Sequence, residues 1–384
     1  MKKLILAAAF AAAACAFAQQ GEIAKWDPRM AADNAVVDTN GVKWVDGKYL
    51  PIEGRWTLGD TKHYYTRLPD TLTTNVNAGV RGMRKHTSGM LFRFRTDSKF
   101  LVIRHTPLNG WHGMSHMTEV GTSGWDVYRL DKASGKWRFV TSSHLSVAAT
   151  GDPGTRVKRV AWTAGDECII NLPLYNGVKE FSLGIASGAK IEAPAPWASG
   201  VTKPVVFYGT SITHGGCSTR PGLGFVNIVG RDLQVPVYGL GFSGSGVMEY
   251  ELSDVIARID ASCYVLDCLW NMRLSEKEKP GRSVQGNYER FIRNLRAKRP
   301  GVPIVMAEQC DVFMKGPSDK DKFIRALYEK LVAEGWTNLV YLPKTNMYTG
   351  DTEGTVDGCH PNDLGMQSMA KAFGGAVKTA LGLK

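Results

Sequence analysis

The segment Asp357-Gly358-Cys359-His360-Pro361 sets a carboxylate and an imidazole three positions apart. Far upstream, Tyr208-Gly209-Thr210-Ser211-Ile212-Thr213 takes an apolar run through a glycine into a serine at a strand-to-turn position. A serine hydroxyl is a weak nucleophile until an imidazole takes its proton, and the imidazole works well when a carboxylate fixes its tautomer and stabilises the imidazolium. Ser211 as nucleophile, His360 as base and Asp357 as its orienting acid supply those three parts. Pro361 disfavours helical backbone at His360, which places the imidazole on an extended loop. Just beyond it Met369, Ala370, Phe373, Val377 and Leu381 recur at helical spacing, predicting a final amphipathic helix that anchors the loop to the core.

The elements that must position these groups are short apolar runs. Pro204-Val205-Val206-Phe207-Tyr208 leads to Ser211. Pro236-Val237-Tyr238-Gly239-Leu240-Gly241 leads into a glycine-rich turn ending at Gly244, and the run from Cys263 to Leu269 leads to Asn271. In a parallel sheet the carboxyl ends of all three strands face one edge, where open α/β sheets present functional groups. Downstream, Tyr288, Phe291, Ile292 and Leu295 mark one helix, and Phe323, Ile324, Leu327, Tyr328 and Leu331 mark another that opens on a capping box at Ser318 and Asp321. Runs at 302–307 and 339–342 bring the strands to about five, alternating with helices as in a parallel sheet covered on both faces.

With its blocks in this order, the chain resembles the SGNH/GDSL hydrolase superfamily from about Thr202 to its end. Ser211 in Gly-Thr-Ser-Ile stands where the family has Gly-Asp-Ser-Leu, Gly244 fits the second-block glycine, Asn271 the third-block asparagine, and Asp357 with His360 the Asp-x-x-His block. The resemblance implies a three-layer α/β/α, flavodoxin-like domain. It also implies an oxyanion hole built from the N–H groups of Ser211 and Gly244 and the Asn271 amide, with no metal or organic cofactor. Thr210 replaces the aspartate before the serine, and Leu269 and Met272 replace the glycine and aspartate flanking the asparagine, none of them a group the chemistry requires. The longer string through His214-Gly215-Gly216-Cys217 to Arg220-Pro221-Gly222 resembles a bacterial, carbohydrate-directed subgroup with an N-terminal β-domain. Gly124-Trp125-Asp126-Val127-Tyr128 is similar to that domain's Gly-x-Asp-x-Tyr signature. His214, three residues after Ser211, is a candidate to line the substrate cleft.

A competing motif overlaps the second block. Gly239-Leu240-Gly241-Phe242-Ser243-Gly244 is a G-x-G-x-x-G after a strand, with Asp267 ending the next one, as in a dinucleotide-binding fingerprint. It would make the protein an oxidoreductase, but it follows the second strand of the unit rather than the first.

The N-terminus reads as an export signal. Lys2 and Lys3 precede an apolar stretch, Leu4 to Ala14, too short to span a bilayer, and Ala16-Phe17-Ala18 offers a cleavage site before Gln19. A soluble periplasmic or secreted protein is expected, with lipidation of Cys15 the alternative. The 384 residues are 43% hydrophobic and 22% charged with a net charge of +11, enough apolar material for a sizeable core. Lys and Arg are dispersed rather than striped, which argues against nucleic acid as partner. No later stretch is apolar enough for a membrane span, and the oligomeric state is not legible. Between 19 and 196, alternating strands such as Leu91 to Arg95, Lys136 to Val140 and Lys179 to Ile185 predict a jelly-roll-like β-sandwich, with 197–384 as the hydrolase domain.

Several further residues have both a functional and a plain reading. Cys217 and Cys359 flank the site and could form a disulfide, while Cys263, Cys268 and Cys310 lie in core strands. His112 and His116 have a H-x-x-x-H spacing but lack the glutamate of a metalloprotease helix. Trp111, Trp125, Trp137 and Trp162 are either a sugar-stacking face or core. Together the residues and the resemblance point to an exported serine esterase removing small acyl groups, chiefly acetyl, from acylated polysaccharide or oligosaccharide. A lipase or acyl-thioesterase of the same superfamily, or a noncatalytic carbohydrate-binding protein, is the alternative.

Overall fold

The computed structural model describes residues 37–384 apart from 60, 112, 144–153, 312–315 and 348. The expected signal peptide, Cys15 and His112 lie outside the described residues.

The first half forms two antiparallel sheets. One has the order β1 (Val42–Asp46), β9 (Val178–Ala186), β4 (Phe100–Pro107), β7 (Arg156–Ala161). The other runs β10 (Ile191–Glu192), β3 (Leu91–Thr96), β8 (Glu167–Asn171), β5 (Asp126–Asp131), β6 (Lys136–Ser142), with β2 (Ile52–Glu53) also paired to β3. Alternation decides which side chains go in. Phe92 and Phe94 from one sheet meet Leu101, Ile103, Phe181, Leu183 and Ile185 from the other in a single core, each contributing about 1.5–3 kcal/mol by burial. Between Phe92 and Phe94, Arg93 points to the opposite face, where Glu53 and Glu167 bind it at 2.9 and 2.6 Å beneath the Trp197 ring. The sandwich expected from the strand pattern is therefore present.

The second half is a five-stranded parallel sheet in the order β12 (Val237–Gly241), β11 (Val205–Gly209), β13 (Cys263–Asp267), β14 (Ile304–Ala307), β15 (Leu339–Leu342). The first strand lies between the second and the third, the flavodoxin-like winding whose switch point forms a crevice at the strand carboxyl ends. Every residue of β11, β12 and β13 is buried, because helices cover both faces. Tyr250–Ile256, Val284–Lys298 and Asp319–Ala333 pack on one face, and Phe225–Leu233 with Asp363–Leu381 on the other. The capping box expected for Asp319–Ala333 is in place, with Ser318 accepting from Asp321 N–H and the Asp321 carboxylate accepting from Ser318 N–H.

The two halves are joined by more than the chain passing from β10 to β11. Between β2 and β3 the chain leaves the sandwich, and Trp56, Leu68, Val76 and Val80 join the core of the α/β half. The reason lies in β12, an edge strand whose outer carbonyls have no strand partner. Arg67, fully buried, donates to the Gly239 and Gly241 carbonyls at 3.1 and 2.8 Å and to Met83 O at 2.7 Å. The Ser88–Gly89 backbone lies so close to Gly239 that a Cβ there would meet Ser88 O at 3.0 Å. The N-terminal half thus closes the open edge of the parallel sheet.

Candidate active site

Strand β11 ends at Gly209, and Thr210 turns the chain. Its Oγ1 accepts from Ile212 N–H at 3.2 Å and caps the short helix Ser211–His214, which Gly215 terminates at φ +104°. Ser211 is consequently the first residue of a helix at the carboxyl end of β11, the strand next to the β12 edge. Across from it, Thr355 Oγ1 accepts from Gly358 N–H at 2.7 Å, and Val356 N–H bonds to His360 O at 3.0 Å, closing a tight turn around Asp357. Asn362 then caps Asp363–Leu381 through Leu364 N–H and Gly365 N–H. His360 is therefore clamped between a turn and the anchoring helix that the periodicity predicts.

The three groups form a relay. Ser211 Oγ lies 2.8 Å from His360 Nε2, and His360 Nδ1 lies 2.7 Å from Asp357 Oδ2. Asp357 Oδ1 also accepts from the backbone N–H groups of His360 and Cys359, at 2.7 and 2.9 Å. Burial alone would raise the Asp357 carboxyl, but the bonds from His360 N–H, the His360 ring and Cys359 N–H outweigh it and hold it below 3.8. An anionic carboxylate on Nδ1 fixes the proton there and leaves Nε2 as the acceptor facing Ser211. The pair is partly open to water, with 24% of the His360 side chain and 38% of that of Asp357 exposed.

The second and third blocks come together beside Ser211. Phe242 N–H bonds to Gly209 O at 3.0 Å, and Ser245 and Gly246 N–H bond back to Phe242 O, making a tight turn with Gly244 at φ +65°. Gly246 must be glycine, since a Cβ would stand 2.1 Å from Gly209 O. Arg282 holds the turn from outside by donating to Gly244 O at 2.6 Å. Asn271 lies against the same turn. With its oxygen toward the turn it accepts from Ser245 N–H and Gly246 N–H at 3.0 and 3.1 Å, whereas the opposite orientation offers one 3.3 Å bond from its NH2 to Phe242 O. The first satisfies the carboxamide better and directs its NH2 away from the turn.

His214 is a correction. It does not line a cleft: the side chain is fully buried, stacked on Tyr175 at 4.2 Å between ring centroids, with Nε2 3.3 Å from His86 Nδ1. Its carbonyl accepts from Ser88 Oγ at 2.9 Å, so the last residue of the serine helix is bolted to the N-terminal half. Burial first, then the positive charge of Arg67, pushes its imidazole well below 6.5, keeping it neutral. Gly241 explains the packing, since a Cβ there would stand 2.0 Å from His214 N.

The dinucleotide reading fails on the same ground. Gly239 and Gly241 serve close backbone approach, and the next helix starts only at Tyr250, so no helix N-terminus meets a pyrophosphate at Gly244. Asp267 is buried beneath the serine helix, where it accepts from Thr213 Oγ1 at 2.7 Å, out of reach of a ribose. Burial pushes its carboxyl up to about 7, against the opposing pull of the Thr213 bond.

Two features escaped the sequence reading although both motifs were visible in it. Asp126 of the Gly-x-Asp-x-Tyr signature is fully buried and accepts from Arg220 at 2.8 Å and Gly222 N–H at 2.9 Å, while Tyr128 OH also bonds to Arg220. The signature is thus a joint between the halves, pairing with Arg220-Pro221-Gly222. The loop before Glu119 likewise reaches the site: Thr118 Oγ1 donates to Thr219 O, and the His116 ring lies 5.8 Å from that of His360. Trp125 and Trp162 belong to the sandwich core and Trp137 packs on Trp197, leaving Trp111 as the exposed member of the four, at 46%. Cys217 and Cys359 are not joined by a disulfide.

A parallel sheet of this winding, with serine, imidazole and carboxylate in line at its carboxyl edge and a segment of the N-terminal half closing its open side, defines a serine-hydrolase architecture. Residues 202–378 match the GDSL-like lipase/acylhydrolase family, and residues 42–191 match the N-terminus of SGNH-hydrolase-type esterases. The chain belongs to the SGNH (GDSL-like) hydrolases, with the N-terminal domain of its esterase group. It is similar to a "putative GDSL-like lipase" from Bacteroides ovatus ATCC 8483, at 27% identity and TM-score 0.75 over 89% of this chain and 99% of that one. It shares its fold with salicylyl-acyltransferase SsfX3 from a tetracycline biosynthetic pathway, at 19% identity and TM-score 0.69 over 90% and 99% of the two chains. It does so too with a family two carbohydrate esterase from Cellvibrio japonicus, at 13% identity and TM-score 0.56 over 89% and 98%. No curated protein matches the chain.

Proposed function

We propose that this protein is an exported serine esterase that removes small acyl groups, chiefly acetyl, from a polysaccharide or oligosaccharide. The observation that carries the reading is the continuous relay from Asp357 through His360 to Ser211, at 2.7 and 2.8 Å. In the proposed reaction His360 Nε2 takes the Ser211 proton as Oγ attacks the ester carbonyl. The tetrahedral oxyanion is met by the N–H groups of Ser211 and Gly244 and by the Asn271 NH2. His360 then returns the proton to the departing sugar alkoxide, and a water activated by the same imidazole frees the acyl group.

The partial exposure of His360 and Asp357 supports a bulky, hydrated substrate and ready access of the deacylating water. The carbohydrate esterase of like fold supports the substrate class, and the apolar stretch Leu4 to Ala14 with the Ala16-Phe17-Ala18 site after it supports the route outside the cell. Among the described residues no helix is long and apolar enough to cross a membrane.

The test is hydrolysis of aryl esters of increasing chain length, alongside mass spectrometry of acetylated xylan, pectin and host-glycan oligosaccharides before and after incubation. The reading expects fastest turnover on acetate and loss of acetyl from at least one glycan. Preference for long acyl chains would favour a lipase and contradict it. Sequencing the N-terminus of the protein recovered from its host tests export, with Gln19 as the expected first residue.

A further inference from the structure

Three donor atoms of metal-ligating type, from His116, Cys217 and His360, lie within 4.8 Å of one another. They come from separate segments that the fold ties together. Cys217 N–H bonds to Pro361 O at 2.8 Å, which pins it beside His360. Met114 and Met117, on either side of His116, pack with Cys217, Leu174 and Tyr175 in one apolar cluster. Cys217 is buried and His116 exposed, so the group has one wall in the protein and one open to solvent.

The donor set and its surroundings fit one class of ligand. Two imidazoles and a thiolate suit zinc and its neighbours, not magnesium or calcium, which prefer oxygen. Zinc–sulfur and zinc–nitrogen bonds of about 2.3 and 2.0–2.1 Å place tetrahedral donors roughly 3.3–3.7 Å apart, so closure asks for a shift of about 1 Å, available to the exposed His116. His360 Nδ1 is already held by the Asp357 carboxylate, the arrangement that orients metal-binding histidines and raises their basicity. Burial, followed by the nearby Asp357 charge, pushes the Cys217 thiol up to about 12, so a cation must displace its proton.

We propose that His116, Cys217 and His360 form a binding site for a zinc-class divalent cation, and that its occupation silences the esterase by taking His360 from Ser211. The cation receives the lone pair of His360 Nε2 that otherwise accepts from the Ser211 hydroxyl. The Cys217 proton leaves to solvent as the metal–sulfur bond forms, and Ser211 keeps its own proton and its low nucleophilicity. The effect on activity rests on the esterase reading, whereas the binding does not.

Cobalt(II) serves as the spectroscopic probe on the purified full chain. Titration is expected to produce thiolate-to-cobalt absorption saturating at a single equivalent, and zinc(II) to remove it by competition. Aryl-acetate turnover should fall in parallel and return with a chelator. His116→Ala should weaken cobalt binding by at least about tenfold, against the 10–100-fold common even for outer-shell losses. Cys217→Ser should lack the thiolate absorption. Ser211→Ala, inactive on the esterase reading, should bind cobalt as the wild type does, so a failed esterase assignment and a failed metal site give different results. Wild type without thiolate absorption, or unchanged cobalt affinity in His116→Ala, would overturn the proposal.

Discussion

Replacing Arg67 with methionine tests whether the two halves are one folding unit. The methionine keeps much of the side-chain volume and its apolar contact with Phe242, whose ring lies 4.8 Å from the guanidinium carbon. It removes the donors that satisfy Gly239 O, Gly241 O and Met83 O. A buried carbonyl stripped of its partner costs about 1–3 kcal/mol, which gives roughly 2–6 kcal/mol for Gly239 and Gly241; Met83 O keeps its bond from His86 N–H at 2.9 Å. Against this stands the relief of an expensive burial, which already pushes the guanidinium well below its ordinary value. A net loss of about 3 kcal/mol is therefore expected. Urea unfolding followed by tryptophan fluorescence reads it, because tryptophans report from both halves, Trp125 in the sandwich and Trp56 in the α/β core. The midpoint should fall while the transition stays single. A loss below about 0.5 kcal/mol, as for an ordinary surface change, or a wild type that already unfolds in two separated steps, would refute the reasoning. For the same reason a truncated chain starting near Lys203 should aggregate, since it exposes the β12 edge and the apolar surface that Trp56, Leu68, Val76 and Val80 cover.

Asp267→Asn should stabilise the protein above neutral pH. The carboxyl is raised from 3.8 to about 7 on folding, so the native state holds a proton that the unfolded chain releases, and wild-type stability declines from about pH 4 to pH 7. The asparagine variant, which can still accept from Thr213, should lack that decline and gain up to about 4 kcal/mol at pH 8; parallel melting curves across pH would argue against a raised carboxyl. Asn271→Ala should lower kcat on an aryl acetate by roughly 10²–10³-fold with little change in KM. A change confined to KM would make Asn271 a substrate-binding residue instead.

Much of this organisation was legible in the sequence because it is local. The strand-to-serine block, the capping box at Ser318 and the helix after Pro361 each rest on neighbours a few residues apart, and apolar periodicity reports them directly. The Asp357–His360 pairing is local as well, and its link to Ser211 followed from the order of the blocks. What was not legible depends on distant segments meeting. His214 looked available because its neighbours are glycines, yet those glycines allow the N-terminal half to close over it, with Ser88 and Tyr175 as its partners. Asp126 and Arg220 were each visible within a motif, but nothing in either segment says that one is the other's counterion. His116 carries no periodic or spacing signal that would place it beside His360. The stretch from 54 to 84 has a composition like other loops, and only the uncovered edge of β12 explains why it crosses to the other half.

The central claim is that Ser211 is a nucleophile activated by His360 and Asp357. A fluorophosphonate probe forms a stable bond with an activated serine and reacts slowly with ordinary hydroxyls, so labelling followed by intact-mass and peptide mass spectrometry reads activation directly. The account predicts a single adduct on Ser211, absent from Ser211→Ala, and formed about 10³-fold or more slowly in His360→Ala, because members of such a relay act as a unit. An adduct on another residue, or labelling of Ser211 at the wild-type rate without the imidazole, would contradict it.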